Sequence, residues 1–228
     1  MCGKFTAMAS WAAVVDFSRA FTRTSEGGGN DHVAHYRVGR PASVIVFDQE
    51  NQERISVMMR WGWPKGRDPH AIGLFHCRSE TLHKLPTFRD QFAAGQRGIV
   101  VVRTFNEARD ILRPPKNKPT APATVKETEQ FEIDPGDDAP LGFAVLWDAF
   151  PIAGSGELLR AFIQCTVPAN ALIVSTDPQM DRMPAFLRYE DWTIWLGETD
   201  ATLGEVQGLL QTMEGVHWKI APEKRAPK

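Results

Sequence analysis

Cysteine is scarce in this 228-residue chain, with three residues, at positions 2, 77 and 165. An odd number scattered so widely builds no disulfide framework of the secreted kind, and no pair has the spacing of a zinc ribbon or finger. A reducing cytosol is the expected compartment. No stretch approaches about 18 consecutive apolar residues, and no charged start followed by an apolar run opens the chain, so neither a membrane span nor a secretory signal is expected. Extremes of charge are missing too. A net charge of −2 and a pI near 6.3 argue against a surface coated throughout by nucleic acid. There is no internal repeat and no low-complexity tract. What remains, with 43% hydrophobic residues, is the composition of one globular domain able to bury a sizeable core.

The average charge hides an asymmetry. Residues 1–120 hold 18 Lys and Arg against 11 Asp and Glu, and residues 121–228 hold 8 against 17. A basic first half can line one phosphate-binding groove while the acidic half faces elsewhere. Along the chain, Ser10 followed by Trp11, Val14, Val15, Ser18 and Phe21 predicts a capped amphipathic helix over 10–21. Ser25–Asp31, with three glycines, reads as a surface loop. Strands are predicted at His35–Val38, Ala42–Asp48, Arg54–Trp61, Gly98–Phe105, Phe143–Ala149, Leu159–Val167 and Asp191–Leu196, with short turns that favour antiparallel pairing. Phe88 and Phe92 suit a short packing helix. The four prolines of 113–122 demand an irregular loop, and Pro184 leaves Arg182 in a turn. A capping box, Thr202 with Glu205, opens a closing helix. One domain over 1–220 and a basic tail over 221–228 are expected.

Reactive chemistry concentrates at the start. If Met1 is removed, Cys2 carries an α-amine and a thiol on adjacent carbons, with reference pKa values of about 7.7–8.0 and 8.5. Such a 1,2-aminothiol condenses with an aldehyde and closes a thiazolidine, or attacks an acyl carbon as thiolate. Elsewhere, Arg60-Trp61-Gly62-Trp63 offers aromatic faces, and base stacking on one is worth about 1–3 kcal/mol. His70, His76, Cys77 and His83 fit no usual zinc spacing, so no metal is expected. Glu107 stands near the end of the predicted strand Gly98–Phe105.

Five stretches, in order, resemble the SRAP ("SOS response-associated peptidase") family. Met1-Cys2-Gly3-Lys4-Phe5 is similar to its Met-Cys-Gly-Arg-Phe start, and Arg60-Trp61-Gly62 to its Arg-Trp-Gly segment. Cys77-Arg78-Ser79-Glu80-Thr81 with Pro86-Thr87-Phe88-Arg89 resembles its Asn-Ala-Arg-x-Glu-Thr and Pro-x-Phe-Arg. The family's active-site glutamate falls on Glu107. Thr166-x-x-Ala169-Asn170 and Arg182-Met183-Pro184 resemble its Thr-x-x-Ala-Asn and His-x-Arg-Met-Pro. The resemblance covers nearly the whole chain.

It implies a single α+β domain with a mixed, largely antiparallel, barrel-like sheet and flanking helices. It implies binding of single-stranded DNA, with Cys2 forming a thiazolidine crosslink to the ring-opened aldehyde of an abasic site. Lyase or autopeptidase activity is implied as well. Glu107 would handle protons, Lys4, Arg78 and Arg182 would hold phosphates, and Trp61 would lie near the bases. No cofactor, no membrane, a monomer, and a cytoplasmic location with the nucleoid when on DNA complete the expectation. The departures are specific. The family asparagine before Ala-Arg is His76 here, and its histidine is Met180, which has no transferable proton. His76, with a reference pKa of about 6.5, is the one new group able to replace that acid. Around Glu107 the family's Cys, Pro, Gly, Tyr and Trp have become Gly98, Val101, Thr104, Asn106 and Ala108. Two other functions stay open, an N-terminal-nucleophile peptidase or amidohydrolase using Cys2 and a DNA-binding module without chemistry.

Overall fold

The computed structural model describes residues 3–7, 35–66, 68–114, 116–117, 119–136, 141–214 and 217–223. Cys2, the helix expected over 10–21 and the loop at 25–31 lie outside the described residues, as do 224–228. In chain order the strands are β1 (Lys4–Ala7), β2 (His35–Arg37), β3 (Pro41–Asp48), β4 (Glu53–Trp61), β5 (Trp63–Lys65), β6 (Asp68–Leu74) and β7 (His76–Arg78). Helix α1 (Pro86–Ala93) precedes β8 (Arg97–Arg113), β9 (Val125–Asp134), β10 (Leu141–Pro151) and β11 (Leu158–Pro168). Then come α2 (Ala171–Thr176), β12 (Arg182–Pro184), β13 (Phe186–Leu187), α3 (Trp192–Leu196), α4 (Leu203–Gly208) and β14 (Lys219–Pro222).

Strands β8, β3, β4, β11 and β10 pair in succession, and β10 pairs back onto β8, so the sheet closes into a barrel. Closure removes the two long exposed edges that an open sheet would carry. Every pairing is antiparallel except those of β11 with β4 and β7. The fold is therefore mixed α+β with a largely antiparallel barrel-like sheet, as the sequence implied. No helix among the described residues is long and apolar enough to cross a membrane.

The β-branched run Ile99–Val102 is buried on both faces, which is why it is continuously apolar instead of alternating. Inside the barrel, Phe5, Phe105, Phe143 and Phe186 form a chain of ring contacts at 5.0–6.4 Å. Such pairs add about 0.5–1.5 kcal/mol each beyond their buried area. Helix α1 starts with Pro86 in its first turn, where a missing N–H is harmless, and turns Phe88 and Phe92 inward. Below it, the buried guanidinium of Arg97 donates to the carbonyls of Trp195 at 2.6 Å and Phe92 at 2.8 Å. Gly62 has φ +113°, and a Cβ there would meet Ile72 at 2.8 Å, so the turn from β4 into β5 requires glycine.

Four sequence readings are corrected. Asp191–Leu196 is a 3-10 turn followed by a helix. Trp192 and Trp195, three apart, share the buried helix face, and their indole N–H groups donate to Leu187 O and Gly98 O. The strand expected to end at Phe105 continues to Arg113 because β9, whose charged residues alternate with buried Phe131 and Ile133, pairs along it. Arg182 lies in β12 and not in a turn. Strand β14 pairs with β9 through Ala221 and Pro222, which the sequence had assigned to the tail.

Candidate functional site

Strand β1 lies antiparallel to β8, with Lys4 opposite Asn106 and Phe5 opposite Phe105. The same register, continued by one step, sets Gly3 level with Glu107. Glu107 is 1% exposed, within a strand and not at its end as expected, and shares the pleat face of Phe105 and Arg109. On that face Arg109 lies 5.0 Å over the ring of Phe131, the residue opposite Glu107, and pairs with Glu129 at 2.8 Å and Asp177 at 3.6 Å. The turn after α2 thus closes against the Glu107 strand. Its Met180 donates its backbone N–H to Asp177 O and buries its side chain at 1% exposure. Where the resemblance implied a histidine, a thioether fills core.

His76 reaches the interior from the other side of the barrel. In the parallel pairing of β7 with β11, His76 faces Gln164, Cys77 faces Cys165 and Arg78 faces Thr166. The thiols of Cys77 and Cys165, 3.4 Å apart, mark one face of this pair of strands. By alternation His76 and Gln164 occupy the other. There the His76 ring meets the edge of Trp61 at 6.2 Å, and Trp61 in turn lies 5.1 Å from Phe5. A continuous aromatic floor therefore joins His76 to the β1–β8 pair that carries Glu107.

The expected DNA contacts divide. Trp61 is wholly buried, stacked within 11° of parallel on Phe162, with its indole N–H on Phe75 O at 3.0 Å. The ring is thus packed within the core of the free protein. Arg182 is engaged within the fold as well. Only 8% exposed, it grips both oxygens of Glu80 and donates to Thr166 O at 2.6 Å. The Arg182 hydrogen bond holds the Glu80 carboxyl below its ordinary pKa, against a smaller opposing effect of burial. Because Ser79 N–H also donates to Thr166 O, this clamp ties β7, the turn after it and β12 to β11. Lys4 is half-buried and ion-paired with Glu223 beside β14. Arg78 is exposed and makes no ion pair among the described residues, so it alone of the four expected contacts presents an uncommitted cation.

Two amide side chains stand out, Asn106, which the sequence showed beside Glu107, and Gln164, which the sequence reading passed over. Gln164 and Asn106 are 1% and 2% exposed, and both polar atoms of each amide lack a hydrogen-bond partner among the described residues. For Gln164 a signal existed, since it is the lone amide in the apolar run Ala161–Val167.

A family model described as "SOS response associated peptidase (SRAP)" matches residues 1–225. The chain is similar to the "Abasic site processing protein YoqW" of Bacillus subtilis (strain 168) and to the protein of the same name from Bacillus phage SPbeta. Each is 24% identical over 214 residues, covering 92% of this chain and 87% of theirs. Among solved structures, a Bordetella bronchiseptica protein matches with TM-score 0.69 and 21% identity, over 98% of this chain and all of that one. One from Bacteroides thetaiotaomicron matches with TM-score 0.74 and 18% identity, over 98% and 92%. At such identities the structures speak for the fold alone.

Proposed function

The chain belongs to the SOS response associated peptidase (SRAP) family, and on that premise we propose that it processes abasic sites in single-stranded DNA by covalent capture through Cys2. The curated relatives carry abasic-site processing in their name. The observation that carries the reading is the buried carboxyl of Glu107 at the register level of Gly3. Cys2 immediately precedes Gly3 in the chain. After loss of Met1, the free amine of Cys2 adds to the C1′ aldehyde of the ring-opened sugar and water leaves, giving an imine. The thiol then adds to the imine carbon and its proton passes to nitrogen, closing a thiazolidine with one water lost overall. Glu107 takes and returns the protons at the amine. His76 supplies the acid that Met180 cannot, and Arg78 holds a phosphate.

Incubation with an oligonucleotide bearing one abasic site, followed by a denaturing gel, tests the proposal. A shifted band is expected that Cys2→Ala and Glu107→Gln weaken or remove, and a band indifferent to Cys2 refutes it. The peptidase in the family description favours a second reading, in which the Cys2 thiolate attacks an amide carbonyl. Peptide turnover that needs no DNA would select it.

A further inference from the structure

We infer that Gln164 is a contact residue for the ring-opened sugar of the abasic site. The inference rests on the reading above that abasic DNA is the substrate. Gln164 is 1% exposed, and among the described residues neither its amide nitrogen nor its amide oxygen has a hydrogen-bond partner. A buried amide left unsatisfied at both ends destabilises a core, and a leucine of similar size would occupy the same place without that loss. The amide is therefore not there to stabilise the free protein.

Its surroundings name its use. On β11, Phe162 and Thr166 share its face, with Trp61 stacked on the first and Arg182 bonded to the second. Across the parallel pairing it faces His76, on the side away from the Cys77–Cys165 thiols. Asn106, the other unsatisfied amide, neighbours Glu107 in β8 and so points to the opposite face of the sheet, away from that carboxyl.

A glutamine amide offers one acceptor oxygen and N–H donors in a single plane. Ring-opened deoxyribose offers the complementary set, an acceptor oxygen at C1′ and a hydroxyl released at C4′. An N–H of Gln164 donates to the C1′ oxygen and its carbonyl accepts from the C4′ hydroxyl. The amide loses no proton. It orients the aldehyde and draws electron density from its carbon.

Two non-condensing probes isolate this contact from the covalent step. An oligonucleotide with a borohydride-reduced abasic site keeps oxygens at C1′ and C4′ in an open chain, whereas a tetrahydrofuran site lacks the C1′ oxygen and the free C4′ hydroxyl. By fluorescence anisotropy the unmodified protein should prefer the reduced site by about tenfold, the equivalent of one good hydrogen-bonded contact. Gln164→Leu and Gln164→Met should bind both probes alike and unfold at or above the temperature of the unmodified protein. Either variant suffices if the other fails to fold. Loss of the preference in a variant supports the inference even if natural abasic DNA yields no adduct, a result that would sink the Cys2 chemistry alone. An adduct together with a preference unchanged in the variants overturns the inference and spares the Cys2 reading. Absence of any preference in the unmodified protein, or a fall in unfolding temperature in both variants, overturns the inference as well.

Discussion

Replacing Glu80 by glutamine removes the charge that holds Arg182, a residue 8% exposed. Breaking a fully buried ion pair from one side costs about 3–5 kcal/mol, because the other charge is stranded. Here the carboxylate end is 47% exposed and the Arg182 side chain only 10%, so solvent screens one partner and the figure must be discounted. Of the two charge-assisted bonds to Arg182 one is lost and one survives in weaker form, accepted by the glutamine oxygen, and Thr166 O remains. A loss of about 2 kcal/mol near neutral pH is expected, or about 4–8 °C in melting temperature for a chain of this length. Arg182→Met in the same background should restore part of it, leaving the double variant less destabilised than the two singles together by about 1–2 kcal/mol. The pH dependence has a definite sign. The folded Glu80 pKa is depressed, so its contribution is full above the ordinary carboxylate value of about 4.3 and is lost as pH falls through the lower folded value. Urea unfolding of the four proteins, read as midpoints at constant slope, measures all of this. A Glu80→Gln protein as stable as its parent at neutral pH, or a deficit that persists undiminished in acid, refutes the clamp.

Three further outcomes follow from particular residues. Arg78→Ala should weaken binding to single-stranded DNA of any sequence and reduce the slope of log affinity against log salt by about 0.7, the share of one phosphate. An unchanged slope would remove Arg78 from the interface. Gly98→Ala places a Cβ 2.6 Å from Val44 and 3.1 Å from the Ile45 carbonyl oxygen, and should cost about 1–3 kcal/mol in chemical unfolding. Stability equal to the parent would mean the barrel seam gives more than its packing suggests. Burial, followed by the hydrogen bond to Cys77, raises the Cys165 thiol well above its usual value. Alkylation of the native protein near neutral pH should modify Cys2 and spare Cys165 and the 2%-exposed Cys77 until denaturant is added. Fast labelling of either buried thiol would contradict their placement.

The barrel was legible where periodicity and burial coincide. Ile99–Val102, Val44–Val46 and the alternating β11 run were readable as strands because both faces or one whole face are apolar. Strand β9 was not, because Lys126, Glu127, Glu129 and Glu132 mask Phe131 and Ile133 when the partner strand is unseen. Trp192–Leu196 fits a strand and a helix equally at five residues, and only the two indoles bonding into the core decide for the helix. At the site, Glu107 and His76 could be picked out from motif order, whereas the pairing of β1 with β8 could not. Nor could the fates of Trp61 and Arg182. A tryptophan beside an arginine is an open base platform or a floor of the core according to what packs over it, and that is fixed by Phe5 and Phe162 from distant strands. Glu80 claims Arg182 from 102 positions away.

Capture of the abasic aldehyde by Cys2, freed of Met1, changes the mass of the chain in a defined way. The intact mass of the protein, recorded alone and after incubation with an abasic oligonucleotide, tests it most directly. A starting mass lacking the initiator methionine is expected, with a product equal to protein plus oligonucleotide less one water, absent in Cys2→Ala. A chain that retains Met1 and forms no adduct, or an adduct that Cys2→Ala forms equally well, would contradict it.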